Sequence, residues 1–304
     1  MKHDYSNSSA IARLRKTVTV WYKCNAREFV WREANPDPYI VLVSETMLQQ
    51  TQTSRVTEKL PQFLVLFPDV YALAKANNAT ILRAWQGMGY NSRALRLRDC
   101  AKAIVTLHNG SVPNIYQQLR ALPGIGDYTA SAILSFAYHM PCVVLDVNIR
   151  RVYSRIMEQM STTIDTASEN ELRVFAERVF PKKQSSMWHQ AIMDIGAMYC
   201  TARTPKCGEC PLSKLCSSAH NMQEAVRVKK AEPQHKGIPN RIWRGKVVEY
   251  LRQTHTAVHS NDVLAHIHPQ PITKQDEHWF RELLQTLVRD SMITVNGTLV
   301  SLSE

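Results

Sequence analysis

The chain has 304 residues, 44% of them hydrophobic and 21% charged, and its 37 Lys and Arg against 26 Asp and Glu leave a formal net charge of +11. That apolar share excludes low-complexity disorder, the lack of any apolar run near 18 residues excludes a membrane-spanning helix, and the length suits two or three globular domains. The basic surplus favours a polyanionic partner. The N-terminus, MKHDYSNSSAIARLRK, has no secretory apolar stretch, so a cytoplasmic protein is expected, and nothing demands more than a monomer.

Through residue 216 the pattern is helical. Segments 11–22, 41–67, 72–85, 94–108, 115–121, 129–138, 147–159 and 169–180 repeat apolar residues at three- and four-residue spacing. Between them lie breakers: Pro36 and Pro38, Pro68, Gly87 and Gly89, Gly110 and Pro113, Pro123 with Gly124 and Gly126, then Pro141. An all-α domain over 1–216 follows. Residues 217–240 are polar and basic and read as a linker. Within 241–304, RIWRGKVVEYLRQ and HWFRELLQTLVRD are amphipathic helices, and SMITVNGTLVSLS is a hairpin around Asn296-Gly297, which together predict a small winged-helix-like α+β module.

Seven cysteines divide into two groups. Cys24, Cys100 and Cys142 are isolated and read as small buried hydrophobes. Cys200, Cys207, Cys210 and Cys216, spaced C-x6-C-x2-C-x5-C, are too crowded for a disulfide framework in a reducing compartment and read as thiolate ligands. Zinc and an iron–sulfur cluster both accept four thiolates, and the spacing alone does not choose between them. Arg203, Lys206 and Lys214 make the loop cationic.

Three further segments carry chemistry. In LPGIGDYTA, Pro123 ends one helix while Gly124 and Gly126 let the backbone turn with its amides exposed before the next, an anion site suited to a DNA phosphate and blind to sequence. In VVLDVNIRRVYSR, Asp146 opens a basic helix bearing Arg150, Arg151 and Arg155; it suits a helix cap or a functional carboxylate that Asn148 orients. In VLVSETMLQQTQTSRV, Glu45 lies among apolar neighbours, where desolvation favours a protonated carboxyl. One protonated and one ionised carboxylate is the arrangement that cleaves a glycosidic bond through an oxocarbenium-like transition state.

LPGIGDYTA followed by LDVNIRRV resembles the helix-hairpin-helix and Gly-Pro-Asp region of the endonuclease III superfamily of DNA glycosylases, and the cysteine spacing is similar to that with which the superfamily binds a [4Fe–4S] cluster. Within it, VWREANPDPYIVLVSETMLQQTQ, WQGMGYNSRALRL and HQAIMDIGAMYC are similar to the adenine DNA glycosylases of the MutY type. The resemblance covers residues 10–216 and implies a helix-hairpin-helix glycosylase fold in two helical lobes, with a cluster loop at 200–216. It implies that Glu45 protonates adenine at N7 and helps activate water, that Asp146, supported by Asn148, stabilises the sugar cation, and that Cys200, Cys207, Cys210 and Cys216 hold the cluster. Tyr128 stands where bifunctional relatives carry a Schiff-base lysine, so a monofunctional hydrolase is expected. Gln190 corresponds to the residue that binds the extruded adenine, Arg27, Trp31 and Leu48 to its pocket walls, and Gln50, Thr51, Met88 and Tyr90 to the wedge around the opposite base.

The resemblance implies double-stranded DNA with adenine opposite guanine or 8-oxoguanine as partner. Two departures stand out: the residues after the cluster do not resemble the Nudix-like domain that reads 8-oxoguanine, and His189 replaces a common Asn. The competing expectation is a thymine or uracil glycosylase for G·T or G·U mismatches, since close relatives share Tyr128, Asp146 and the cluster. The basic helix at Arg150, Arg151 and Arg155, the cluster loop and the linker at Lys229 and Lys230 are the expected phosphate contacts.

Overall fold

The computed structural model describes residues 5–157, 168–220, 232–254 and 256–304. In chain order its first helices are α1 (Ser8–Asn25), α2 (Pro38–Leu48), α3 (Thr53–Leu66), α4 (Val70–Lys75), α5 (Asn78–Ala84), α6 (Ser92–His108) and α7 (Tyr116–Ala121). They are followed by α8 (Asp127–Phe136), α9 (Val147–Ile156), α10 (Glu169–Val179) and α11 (Ser185–Met198). The C-terminal part runs β1 (Gln234–His235), β2 (Ile238–Pro239), α12 (Asn240–Gln253), β3 (Val258–His259), α13 (Ser260–Ile267), α14 (Lys274–Arg289), β4 (Ile293–Asn296) and β5 (Leu299–Leu302). Up to residue 216 the described residues hold helices and turns without a strand, as the apolar spacing predicts. None of the described helices is long and apolar enough to cross a membrane.

Two predicted helices are each split. The segment 72–85 breaks where Asn77 caps α5, its side chain accepting the Thr80 N–H at 2.8 Å. The segment 41–67 breaks after Leu48, where Gln50 takes a left-handed φ of 57°. Apolar spacing continues through both breaks, so periodicity alone misses them.

The chain divides into two compact units. The first comprises Met1–Leu42, Asn114–Arg120 and Ile125–Lys229. Its core includes Trp188 and Tyr153, both fully buried, with the indole N–H donating to the Tyr153 hydroxyl at 2.8 Å. Phe175 packs edge-on against Tyr153 and Tyr5. Here α9 and α11 approach so closely that a Cβ at Gly196 would stand 2.7 Å from that of Asn148, which requires glycine.

The second unit comprises Val43–Pro113, Ala121–Gly124 and Lys230–Glu304. The C-terminal module therefore packs within the same unit as α3–α6. Arg252 of α12, 9% exposed, donates to the Leu82 carbonyl at 2.8 Å and to the Asn91 side chain at 2.7 Å, and Asn78 donates to the Ser291 carbonyl at 2.8 Å. The module has a three-stranded antiparallel sheet in the order β3-β5-β4, with helices α12, α13 and α14 interleaved along the chain as in a winged helix. Of the stretch read as a linker, 221–231 lies outside the described residues, while its end forms the β1–β2 hairpin. The terminal hairpin turns one residue later than the Asn296-Gly297 dipeptide suggests. Asn296 pairs with Leu299, which leaves Gly297 (φ 61°) and Thr298 at the corners.

Candidate active site

The residues assigned to the wedge gather around a buried guanidinium that the sequence reading does not single out. Arg93, in the first turn of α6, is 7% exposed. Its Nη1 donates to the carbonyls of Thr46 and Met47, each at 2.9 Å, and to that of Gln49. Its Nη2 donates to the Thr51 hydroxyl at 2.9 Å and to the carbonyls of Met88 at 2.9 Å and Gly89 at 3.1 Å. The last turn of α2 leaves orphan carbonyls and the negative end of a helix dipole, so a cation here both caps the helix and fixes the loop after it. Thr51 closes the arrangement by donating its hydroxyl to Met88 O at 3.1 Å.

Around this anchor two exposed residues sit on left-handed backbone: Gln50 at φ 57° and Tyr90 at φ 44°. Such backbone persists in non-glycine residues only where surrounding contacts over-determine it. Gln50, Thr51 and Tyr90 are thereby brought to one edge. Met88 differs, since its side chain is 4% exposed and belongs to the core; its contribution is the carbonyl. Burial lowers the pKa of Arg93 to about 10, which still leaves it charged at neutral pH. Glu45 lies in α2 at 4% exposure, with Val41, Leu42, Val43 and Met47 buried around it in the helix, and Leu48 ends the helix half-buried.

In the first unit, Asp146 is both the cap and the oriented carboxylate. Its Oδ1 accepts the Ile149 N–H at 2.6 Å, and its Oδ2 accepts from Asn148 Nδ2 at 2.8 Å. Burial raises its pKa, and the bonds from Ile149 and Asn148 act against that rise. Asn148 is held in turn by Arg151, whose Nη2 donates to Asn148 Oδ1 at 2.7 Å and to Gly196 O at 2.8 Å, while its Nε donates to Cys200 O. A continuous line of hydrogen bonds thus joins the cluster loop to Asp146.

Arg27 and Gln190 line one cavity of about 560 Å³, together with Tyr22, Phe29, Arg32 and His139. Gln190 accepts from the Tyr22 hydroxyl at 2.9 Å. Asp194, fully buried, receives Arg27 Nη2 at 2.6 Å and Arg32 Nη1 at 2.9 Å, so one carboxylate sets both guanidinium groups. Trp31 is buried and stacks on Phe29 with ring centroids 4.7 Å apart. His189 has a structural explanation: Nδ1–H donates to Ser185 O at 2.8 Å, which leaves Nε2 to accept the Val144 N–H at 3.3 Å, two residues before Asp146.

Gly124 (φ 76°) makes the turn into α8, for which Gly126 is the cap. In the first turn, Asp127 accepts from the Tyr116 hydroxyl at 2.8 Å and from Arg120 Nε; these partners hold its carboxyl below the ordinary range. Tyr128 is half-buried in the same turn.

The four clustered cysteines line a single cavity with Arg155 and Tyr199. Tetrahedral zinc with Zn–S bonds of about 2.3 Å would hold its sulfurs about 3.8 Å apart. Among the described residues, the one group of metal-ligating atoms that all lie within 4.8 Å of one another contains none of these cysteines. Burial, with the neighbouring sulfurs, pushes the Cys216 thiol up to about 12 and the Cys210 thiol up to about 11. Arg155 Nη1 donates to Cys200 Sγ at 3.1 Å. The donor set fits an iron–sulfur cluster.

Two expectations need correction. Arg151, 8% exposed, and Arg155 turn inward onto the cluster loop, and Arg150 pairs with Glu169, so this helix does not present free cations for phosphates; a backbone carbonyl array was the better partner. Arg203, Lys206 and Lys214 are exposed, while Lys229 and Lys230 lie outside the described residues. Cys24 is exposed and not a core residue. Sequence reasoning also missed Arg241 and Arg244 of α12, which line a cavity with Tyr90, Asn91 and Ser92. Their signal was present in the basic helix RIWRGK, but not its position.

Residues 43–177 match the HhH-GPD superfamily of base excision DNA repair proteins, and residues 200–216 match the iron-sulfur binding domain of endonuclease III. The adenine DNA glycosylase of Mycobacterium tuberculosis (strain ATCC 25618 / H37Rv) is 40% identical over 198 residues, 64% of each chain. That of Mycolicibacterium smegmatis is 37% identical over 238 residues, 78% of this chain and 80% of that one. Human adenine DNA glycosylase is 30% identical over 73% of this chain and 42% of its own length. Among solved structures, a thermostable thymine-DNA glycosylase aligns at a TM-score of 0.65 and 27% identity, covering 72% of this chain and 100% of that one. Endonuclease III in a non-covalent DNA complex, at 0.59 and 20% identity over 69% and 97% of the chains, shares the fold. The loop 200–216 holds a [4Fe–4S] cluster.

Two stability measurements check this geometry. Arg93→Lys keeps the charge but loses the fork, and is expected to cost about 2–4 kcal/mol in urea denaturation; an unchanged midpoint would remove Arg93 from its place. Burial lowers the pKa of His189 to about 4, against 6.5 for an unperturbed His. The unfolded chain therefore binds the extra proton first, and stability falls as pH drops from about 6.5 toward 4, by on the order of 3 kcal/mol. His189→Asn should lose that part of the pH slope, and an unchanged slope would contradict it.

Proposed function

Because the chain belongs to the adenine DNA glycosylase family of the helix-hairpin-helix GPD superfamily, we propose that it removes adenine mispaired with guanine or 8-oxoguanine from duplex DNA. Taking a base out of the stack costs a few kcal/mol, which side chains filling the gap offset. Gln50, Thr51 and Tyr90 fill it, held in place by Arg93. The extruded adenine is read by Gln190 and Arg27, with Trp31 and Leu48 as apolar contacts. Gly124 and Gly126 bind a phosphate through backbone amides.

Glu45, as the neutral acid, gives its proton to adenine N7. The C1′–N9 bond then breaks with its electron pair passing to the base. Asp146, ionised, stabilises the sugar cation, water adds its oxygen to C1′, and its released proton returns to Glu45. The products are adenine and an abasic site. Tyr128 cannot form an imine with the opened sugar, so the enzyme is monofunctional and leaves the strand uncut. Cys200, Cys207, Cys210 and Cys216 hold the cluster, which anchors the loop that orients Asp146 through Arg151 and Asn148. The chain acts as a monomer in the cytoplasm.

The observation that carries this reading is the Asp146 carboxylate, part-buried yet fixed by two donors, one of them tied to the cluster loop. The likeness to thymine-DNA glycosylase favours a second reading, excision of thymine or uracil opposite guanine, but it gives Glu45 less to do, since a pyrimidine has no N7 to protonate.

Asp146→Asn and Glu45→Gln are expected to lower single-turnover excision by about 10²–10⁴-fold while duplex binding is retained. Because burial raises the pKa of Asp146, the wild-type rate should fall on acidification at a pH above the ordinary aspartate range. Unchanged turnover in either variant would refute its role, and strand cleavage before alkali treatment would refute the monofunctional assignment.

A further inference from the structure

The C-terminal module contains a group of metal-ligating side chains separate from both the carboxylates and the cluster. His235 ends β1, His268 follows α13 and Asp276 lies in the first turn of α14, so three elements distant in sequence meet at one point. Their ligand atoms form a small triangle. His235 Nε2 is 2.9 Å from Asp276 Oδ1 and 3.2 Å from His268 Nε2, and His268 Nε2 is 3.4 Å from Asp276 Oδ1. His268 and Asp276 are buried, and the side chain of His235 is 14% exposed.

The supports of this triangle are those a metal site needs. His268 Nδ1–H donates to the Pro269 carbonyl at 2.7 Å, which fixes the tautomer and leaves the Nε2 lone pair directed into the triangle. Asp276 Oδ2 is taken from the other side by the Thr273 N–H at 2.9 Å, the Thr273 hydroxyl at 2.7 Å and the Lys236 ammonium at 3.2 Å, so Oδ1 faces inward. The His235 ring stacks on Trp279 at 3.8 Å, and Trp243 stacks on His268 at 5.6 Å. Two lone-pair acceptors, His268 Nε2 and Asp276 Oδ1, thus face each other with a single His235 N–H to share. A cation satisfies all three atoms where one proton cannot.

The dimensions select the class of ion. Bonds of about 2.0–2.1 Å from Zn²⁺ to imidazole nitrogen or carboxylate oxygen, at tetrahedral angles, place the ligand atoms about 3.3 Å apart, and the triangle has that size. We propose that His235, His268 and Asp276 form a site for a zinc-class divalent ion, with water as fourth ligand, that pins the β1–β2 hairpin to the α13–α14 junction. Among the described residues, Lys236 is the cation that pairs with this carboxylate, on its outer oxygen, and its side chain is 42% exposed, while the Lys246 ammonium lies over the Trp243 ring. The staple would fasten the entry of the module, where β1 meets the α13–α14 junction.

The test uses the full chain with its iron–sulfur cluster intact, loaded with zinc chloride and desalted. The expected result is one zinc per chain by mass spectrometry, with an X-ray absorption first shell of nitrogen and oxygen and no sulfur. His235→Gln should weaken zinc binding by on the order of 100-fold with the iron content and visible absorbance of the cluster unchanged, and Lys236→Ala should bind zinc at least as tightly as the wild type. Since His268→Gln can unfold the module, the His235 variant and the wild-type absorption spectrum carry the decision. No retained zinc, a sulfur-containing shell, or unaltered binding in His235→Gln would overturn the proposal.

Discussion

The second unit depends on one buried cation. Arg93 binds backbone carbonyls from the end of α2 and from the loop at Met88 and Gly89, so a single guanidinium ends one helix and holds the following turn against another segment. The two Nη groups of a planar fork do this; a lysine offers a compact charge without the fork. The consequence is that Gln50 and Tyr90 are exposed on left-handed backbone, an unfavourable state that the Arg93 contacts maintain. In the proposed role as a wedge, Gln50 and Tyr90 would gain from being placed in advance, because less ordering would remain to be done on binding.

The first unit repeats the same economy around a different centre. Arg151 and Arg155 bind the carbonyls and one sulfur of the cluster loop, and Arg151 passes that constraint through Asn148 to Asp146. Gly196 permits this by letting α11 lie against Asn148. In the proposed chemistry the cluster's part would be mechanical: it would stiffen a loop whose carbonyls hold Arg151, which in turn holds the Asn148 amide against Asp146.

Legibility in the sequence followed the range of the physical signal. The four cysteines, the Gly124 to Tyr128 turn and the Asp146 cap are local patterns, and each appears where its spacing places it. Helix breaks at Asn77 and Gln50 were hidden, because apolar spacing continues across them and the break at Gln50 is set by Arg93, which is more than 40 residues away in the chain. Charge misled most at α9: a run of arginines reads as a DNA-facing surface, yet two of the three are consumed by carbonyls that no sequence window contains. His189 is the reverse case, a departure from the common residue that becomes intelligible once its two hydrogen bonds are seen. The winged module was legible as helices and a hairpin, but its packing with α5 through Arg252, and the meeting of His235, His268 and Asp276, join segments far apart in the chain that no local pattern links.

Adenine as the excised base is tested most directly by excision across a panel of duplexes containing A·G, A·8-oxoguanine, A·C, T·G and U·G, with alkali added afterwards to reveal abasic sites. Cleavage at the adenine strand of A·G and A·8-oxoguanine, with T·G and U·G left intact, is the predicted result. Cleavage confined to T·G or U·G would contradict it.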